Sequence, residues 1–204
     1  MQHFVPEGVG RYASDLLSAS KDRGTVSDTL PIAGIPVVGG KRLPQSADDY
    51  ILHERRRIVH FAVTAHPTGE WTAQQMREAF PWDTAPRYLL RDRDRIFGHD
   101  FVKQVKAMGI KQVLSAPRSP WQRAYVERVI GTIRRECLDH LIVFNDGGLD
   151  RQLRTFVEYY HRNRVHLALE KDTPESRPVQ PESGRIVSIP VLGRLHHRYE
   201  RRAA

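Results

Sequence analysis

The sequence predicts a layered α/β domain in which at least part of the sheet is parallel. Strand-like and helix-like segments alternate between residues 57 and 160, and this order favours parallel strands joined by helices. A hydrophobic content of 40% and a charged content of 27% are values of a folded globular chain. With 204 residues, the chain is long enough to bury one sizeable core.

The first half of this pattern begins at Arg57–Thr64, where alternating residues rich in β-formers predict a strand. A helix follows Pro67, with Trp71 and Met76 on one face, and Pro81 ends it. The short apolar run from residue 87 then predicts a buried strand that ends at Asp92.

The second half begins with an amphipathic helix over residues 101–108, which Gly109 closes. Residues 110–115 predict the next strand. Residues 119–140 predict a helix, with Ser119 as its N-cap and Pro120 at its first position. A last amphipathic helix covers residues 149–160, and the tail from residue 185 to residue 192 is expected to be extended.

Two carboxylates stand out in this pattern. Asp92 ends a predicted strand, and Glu127 lies on the helix that returns beside it, so the two side chains can face each other. Carboxylates at close range repel each other unless a divalent cation lies between them. Hard oxygen ligands of this kind suit Mg²⁺ or Mn²⁺.

Three motifs carry a resemblance to a known family. They are Asp-Arg-Asp-Arg-Ile-Phe at 92–97, Arg-Ser-Pro-Trp-Gln-Arg-Ala-Tyr-Val-Glu-Arg at 118–128, and Tyr159-Tyr160 with Arg164-Val-His166. Together they resemble the integrase core of insertion-sequence transposases and retroviral integrases, over roughly Arg55 to the C-terminus. The resemblance implies a ribonuclease-H-like mixed sheet with flanking helices, and DNA integration or transposition by an Asp-Asp-Glu triad that holds two metal ions.

Within that resemblance, Asp92 matches the second catalytic Asp and Glu127 matches the catalytic Glu. The remaining motif residues Tyr159, Tyr160 and His166 are expected to serve packing and hydrogen bonding rather than catalysis. The family usually has Asn at the position of Arg123, four residues before Glu127. An amide there can orient the substrate or the carboxylate, and this chain lacks it.

The family's first Asp has no counterpart that the sequence reveals. Ordinary strand and loop lengths place it within residues 30–40, where no carboxylate occurs. The nearest carboxylates are Asp28, Asp48 and Asp49, and none has the expected strand context. We therefore expect incomplete opening strands, through N-terminal truncation or an upstream frame change, and impaired activity. Two alternatives stay open, an active Mg²⁺-dependent strand-transfer enzyme with an unrecognised third carboxylate and another ribonuclease-H-like nuclease.

The net charge of +8 and the pI near 9.9 favour a polyanionic partner, DNA first. Arg123 and Arg134 share a face of the predicted helix with Glu127, which suits contact with phosphates beside a scissile bond. The alternative is a solvated basic face that Glu136 and Asp139 balance. Further sequence-independent contacts with the DNA backbone are expected from Arg118, Arg128 and Arg135.

The chain divides by composition into three predicted segments. Residues 1–50 are expected to be poorly ordered and unlike the family, with an edge strand at best near residues 30–38 because proline removes ladder donors. Residues 51–170 are expected to form the core and residues 171–204 a basic extension. The single cysteine, Cys137, excludes an internal disulfide and fits a reducing cytoplasm. No apolar run suits a membrane span, and a homo-oligomer stays open.

Overall fold

A computed structural model describes residues 31–33, 46–52, 55–64, 66–81, 84–94, 96–117, 124–180 and 182–202. The strands are β1 (Pro31–Ala33), β2 (Ser46–Leu52), β3 (Arg57–Thr64), β4 (Tyr88–Arg91), β5 (Lys111–Leu114), β6 (Arg185–Val191) and β7 (His196–Arg202). The helices are α1 (Gly69–Ala79), α2 (His99–Ala107), α3 (Ala124–Glu136) and α4 (Asp146–Arg162), with short 3₁₀ turns at Leu138–His140 and Leu167–Leu169. No helix in these described ranges is long and apolar enough to cross a membrane.

A five-stranded mixed sheet forms the centre of the fold. Its strand order is β3-β2-β1-β4-β5. The pairs β1–β2 and β2–β3 are antiparallel, whereas β1–β4 and β4–β5 are parallel. The α/β class with parallel pairing in part of the sheet is therefore confirmed.

The expectation of incomplete opening strands is wrong. Both β1 and β2 take part in the sheet, and β1 is its middle strand rather than an edge strand. Pro31 is the first residue of β1, where a strand tolerates the missing N–H donor. Pairing along the whole of β3 holds β2 in place, although Asp48 and Asp49 are poor strand formers. The other residues of the predicted segment 1–50 lie outside the described ranges, and the three-segment division stays a prediction.

Helices cover both faces of the sheet, because neighbouring strand residues contribute to different core clusters. On β3, Ile58 belongs to a cluster with residues of α3 and α4, whereas Val59 packs against a cluster built by α1 and α2. Leu89 and Leu90 of β4 divide between the clusters in the same way. The alternation of side chains along a strand explains this division.

The helices begin and end largely where the sequence predicts. Thr68 caps α1 by accepting a hydrogen bond from the Trp71 amide at 3.1 Å. Gly109 follows α2 with a positive φ of 72°, the conformation that glycine adopts most readily. The predicted cap at Ser119 and Pro120 lies outside the described residues. The α-helical part of the Glu127 helix ends at Glu136, and the 3₁₀ turn covers the rest of the predicted length.

The C-terminal strands β6 and β7 form a separate antiparallel hairpin. Leu192, in the turn between them, is buried in the cluster of α3 and α4. His196 stacks on Tyr159 at 4.5 Å between ring centroids, and its Nε2 donates to the Glu136 carbonyl at 2.6 Å. The hairpin is thus joined to the helices at its turn.

Candidate active site

Asp92 stands directly after β4, at the edge where the parallel strands end. Its Oδ1 accepts a hydrogen bond from the Asp94 amide at 3.0 Å. Asp94 in turn accepts from the Ile96 amide at 3.1 Å, so its carboxylate stabilises the turn. These two bonds fix the backbone path that carries Asp92 out of the sheet.

The side chain of Arg91 holds the backbone of Asp92 in place. This buried arginine donates from Nε to Gln112 on β5 at 2.8 Å and from Nη1 to the Asp92 carbonyl at 2.9 Å. Its guanidinium also lies over the rings of Phe97 and Phe101, at 5.4 and 5.8 Å from their centroids. Burial lowers the pKa of Arg91. Sequence reasoning missed this positioning residue, although an arginine inside an apolar strand was a visible signal.

Glu127 lies in the first turn of α3 and is exposed. The neighbouring Val126 and Val129 are buried and fix the rotation of the helix. Among the described residues, no group of three or more His, Cys, Asp or Glu side chains could hold a metal ion. Asp92 and Glu127 are therefore the two carboxylates available from the predicted set, and their shared metal site stays a prediction. Asp28 lies outside the described residues.

Arg134 is exposed seven residues after Glu127, a spacing that puts both on one face of α3. Its Nε lies 3.7 Å from Asp139, with both side chains about half exposed. Pairs of this kind contribute little to stability and are readily exchanged for another anion. Arg123 and Arg118 lie outside the described residues.

Arg128 and Arg135 occupy a different face, about 100° round the helix from Glu127 and Arg134. Both are exposed and both line a cavity beside α3. DNA that contacts them would therefore lie on a different side of α3 from Glu127. The sequence pattern grouped all these arginines together because they share one helix.

The C-terminal end of α3 is tied to the segment after α4. Arg164 donates two hydrogen bonds of 2.7 Å to the carboxylate of Glu136. These bonds hold the pKa of Glu136 below its usual value and raise that of Arg164. Glu136 therefore does not balance the Arg134 face, as the solvated-face alternative supposed. Arg164 also lies 5.8 Å from the centroid of the buried Tyr160 ring, in keeping with the expected packing role.

Residues 108–174 match the family model of the integrase core domain, a range that includes Glu127 and the Tyr159–His166 motif but not Asp92. A dimeric form of the HTLV-2 integrase catalytic core in complex with magnesium is similar in structure, with 14% identity and a TM-score of 0.58, over 76% of this chain and 98% of that one. The integrase of a simian T-cell lymphotropic virus intasome in complex with PP2A regulatory subunit B56 gamma has 15% identity and a TM-score of 0.58, over 87% and 68%.

The catalytic core of BIV integrase is a further structural relative, with 14% identity and a TM-score of 0.55, over 73% of this chain and 91% of that one. No curated protein sequence gives a significant match. The class of fold is thus the ribonuclease-H-like fold of integrase catalytic cores. More particularly, the match of residues 108–174 to the integrase core domain supports the family resemblance that the motifs carry.

Proposed function

We propose that the chain is a DNA-binding protein derived from a transposase or integrase core, and that its metal-dependent phosphoryl transfer is impaired. The observation that carries this proposal is the composition of β1. Its three residues are Pro31, Ile32 and Ala33, and none is a carboxylate. In the family that the chain resembles, the first catalytic Asp stands on this opening strand.

The register of the sheet supports this proposal. Ile32 pairs with Leu90, two residues before Asp92, so β1 lies one strand spacing, about 4.8 Å, from the strand that carries Asp92. The residues that follow β1 in the sequence are Gly34, Ile35 and Pro36, again without a carboxylate. Neither β1 nor the three residues that follow it can therefore supply a carboxylate beside Asp92.

A second candidate function is an active strand-transfer enzyme in which Asp49 completes the triad. Asp49 precedes Tyr50, which pairs with Ala33, so it lies near the same end of the sheet as Asp92. However, β2 is two strand spacings from β4, about 9.6 Å. This doubles the gap that a shared ion has to close, and it favours the impaired enzyme.

Asp92 and Glu127 would hold a single Mg²⁺ or Mn²⁺ through their carboxylate oxygens. A bound ion of this class polarises water or a 3′-hydroxyl and stabilises a leaving oxygen, but phosphoryl transfer of this type uses two ions about 3.5–4 Å apart. The chain itself supplies the strand end that Arg91 positions and the basic surface that attracts DNA. With two carboxylates, one ion of the pair lacks its anchor.

DNA is the proposed partner, through Arg134 and the basic strand β7. Arg198, Arg201 and Arg202 on β7 are exposed, and such contacts with phosphates carry no sequence information. Solved relatives include dimeric and trimeric forms of the HTLV-2 core and a viral intasome. We extend the proposal to a homo-oligomer on that ground, and to the cytoplasm because the one cysteine, Cys137, is an unpaired buried thiol.

A strand-transfer and end-nicking assay in Mg²⁺ and in Mn²⁺ tests this function. We expect product at the level of the Asp92→Ala control, because the metal pair lacks its third carboxylate. DNA binding should persist in both proteins. Metal-dependent product that Asp92→Ala abolishes would contradict the impairment, and its further loss in Asp49→Ala would identify Asp49 as the missing ligand.

A further inference from the structure

A cavity of about 560 Å³ opens beside α3, away from the Glu127 edge. Residues of α3, of the segment after α4 and of the turn before β3 line it. Its volume lies within the range of ordinary ligand sites. The charged side chains of its wall are Arg56, Arg128, Arg135, Arg164 and Glu136.

These charges do not cancel. Four arginines and one glutamate leave a net charge of +3 (4 − 1) on the wall. Arg164 and Glu136 are matched by their bidentate pair. Arg56, Arg128 and Arg135 have no carboxylate within 4 Å among the described residues. The cavity therefore favours an anion.

His166 adds a buried donor to this wall. Its Nδ1 lies 3.3 Å from the Arg164 Nη1. Because an arginine only donates, Nδ1 accepts, and the neutral ring carries its proton on Nε2. The residue is 6% exposed, and within the described part of the chain its Nε2 is buried without a hydrogen-bond partner. Buried donors are rarely left without an acceptor, and an oxyanion in the cavity would supply one.

We propose that this cavity binds a phosphate group of the nucleic-acid backbone, with Arg56, Arg128 and Arg135 as its cationic partners and the His166 Nε2–H as a donor. The planar fork of arginine suits the oxygens of phosphate. The site is separate from the Glu127 edge, so it would engage a second stretch of DNA. The phosphate chemistry stands on the cavity alone, and only the assignment to DNA rests on the proposed function.

The pKa of the His166 imidazole should change when an anion occupies the cavity. Burial, together with the neighbouring Arg164 and Arg56 and against the opposing effect of Glu136, lowers its pKa to about 4. An anion beside Nε2 offsets the two arginines and favours the protonated ring. Filling the cavity should therefore raise the pKa of His166 toward its ordinary value of 6.5.

The first experiment titrates the full chain with inorganic phosphate at constant ionic strength and follows the histidine ring signals by NMR. We expect a saturable change at His166 together with an upward shift of its pKa. Arg135→Gln should weaken the phosphate affinity roughly tenfold, whereas Arg151→Gln, an exposed arginine on α4 outside the cavity, should leave it unchanged. No response at His166, or an equal response in the two variants, would overturn the site.

The second experiment adds short duplex DNA to the phosphate-loaded protein. We expect DNA to displace the phosphate while His166 stays perturbed. Bound phosphate that DNA does not displace would assign the cavity to free phosphate and refute the nucleic-acid part. DNA binding that leaves His166 unperturbed would refute this inference and leave the proposed function standing. Absence of any DNA binding would instead refute the proposed function.

Discussion

The two ends of helix α3 differ in how they are held. At the N-terminal end, Glu127 lies in the first turn and is exposed. At the C-terminal end, Glu136 is fixed by two 2.7 Å bonds from Arg164, and its carbonyl accepts from His196. The first end thus presents an exposed carboxylate, whereas the second is tied to the segment after α4 and to β7.

The contacts that stabilise α3 and the residue proposed to bind metal therefore lie at different ends of the same helix. The tied end lies with α4 and its following segment inside the range that matches the integrase core domain. In the proposed metal site, Glu127 depends on further ligands from the sheet, where β1 contributes no carboxylate. The bonds from Arg164 and His196 that hold the C-terminal end of α3 do not depend on the proposed metal site.

Acidification should affect the tied end most strongly. Burial lowers the pKa of His161 and of His166 to about 4, below the ordinary 6.5. The unfolded chain therefore binds more protons, so stability is complete above pH 6.5 and is lost as the pH falls toward 4. At pH 5 the loss should be about 2 kcal/mol for each histidine. Urea unfolding at pH 7 and pH 5 measures it.

His161 offers a matched control for that measurement. His161→Gln should flatten the pH dependence by about half, because Gln does not titrate. His99→Gln should leave it unchanged, since His99 is 88% exposed. Equal slopes in all three proteins would show that His161 does not contribute.

Removing the charge of Glu136 should have the next largest effect. Glu136→Gln leaves the Arg164 guanidinium without its carboxylate, at a cost of about 2 kcal/mol in the free energy of unfolding. The same change at the exposed end, Glu127→Gln, should stay within about 0.5 kcal/mol. Thermal unfolding of the two variants compares the ends directly. A larger loss for Glu127→Gln would reverse the comparison.

Arg134→Gln should have the smallest effect on the folded protein and should act on DNA binding instead. Loss of one phosphate contact should weaken binding about equally for unrelated sequences and reduce the salt slope by about 1. Fluorescence anisotropy over a range of salt concentrations measures both quantities. A sequence-selective loss would instead indicate contact with a base.

The sequence predicted β3 to its last residue, because the residues of Arg57–Thr64 alternate and are rich in β-formers. It also predicted the strand before Asp92 and the apolar faces of the helices. The opening strands escaped because Pro31, Asp48 and Asp49 are poor strand formers, and pairing with neighbouring strands overrides their preference. The periodicity of a sequence does not show which strands pair with each other.

Within the site, the sequence motifs identified Asp92 and Glu127, but they did not identify the residues that position the elements carrying them. Arg164 lies 28 residues from its partner Glu136, and Arg91 lies 21 residues from Gln112 on the neighbouring strand β5. Contacts of this kind are tertiary, so no local pattern indicates them. The alternative of a solvated basic face accordingly named Glu136 as a counter-charge although it pairs with Arg164, whereas Asp139 does lie beside Arg134.

The stoichiometry of metal binding tests the central claim most directly. We predict that Mn²⁺, followed by calorimetry and by its paramagnetic resonance signal, binds at one weak site per chain, and that Asp92→Asn and Glu127→Gln each abolish it. Two Mn²⁺ ions per chain, both lost in Asp92→Asn, would contradict the account, because a pair of ions needs a third carboxylate that this sheet edge does not supply.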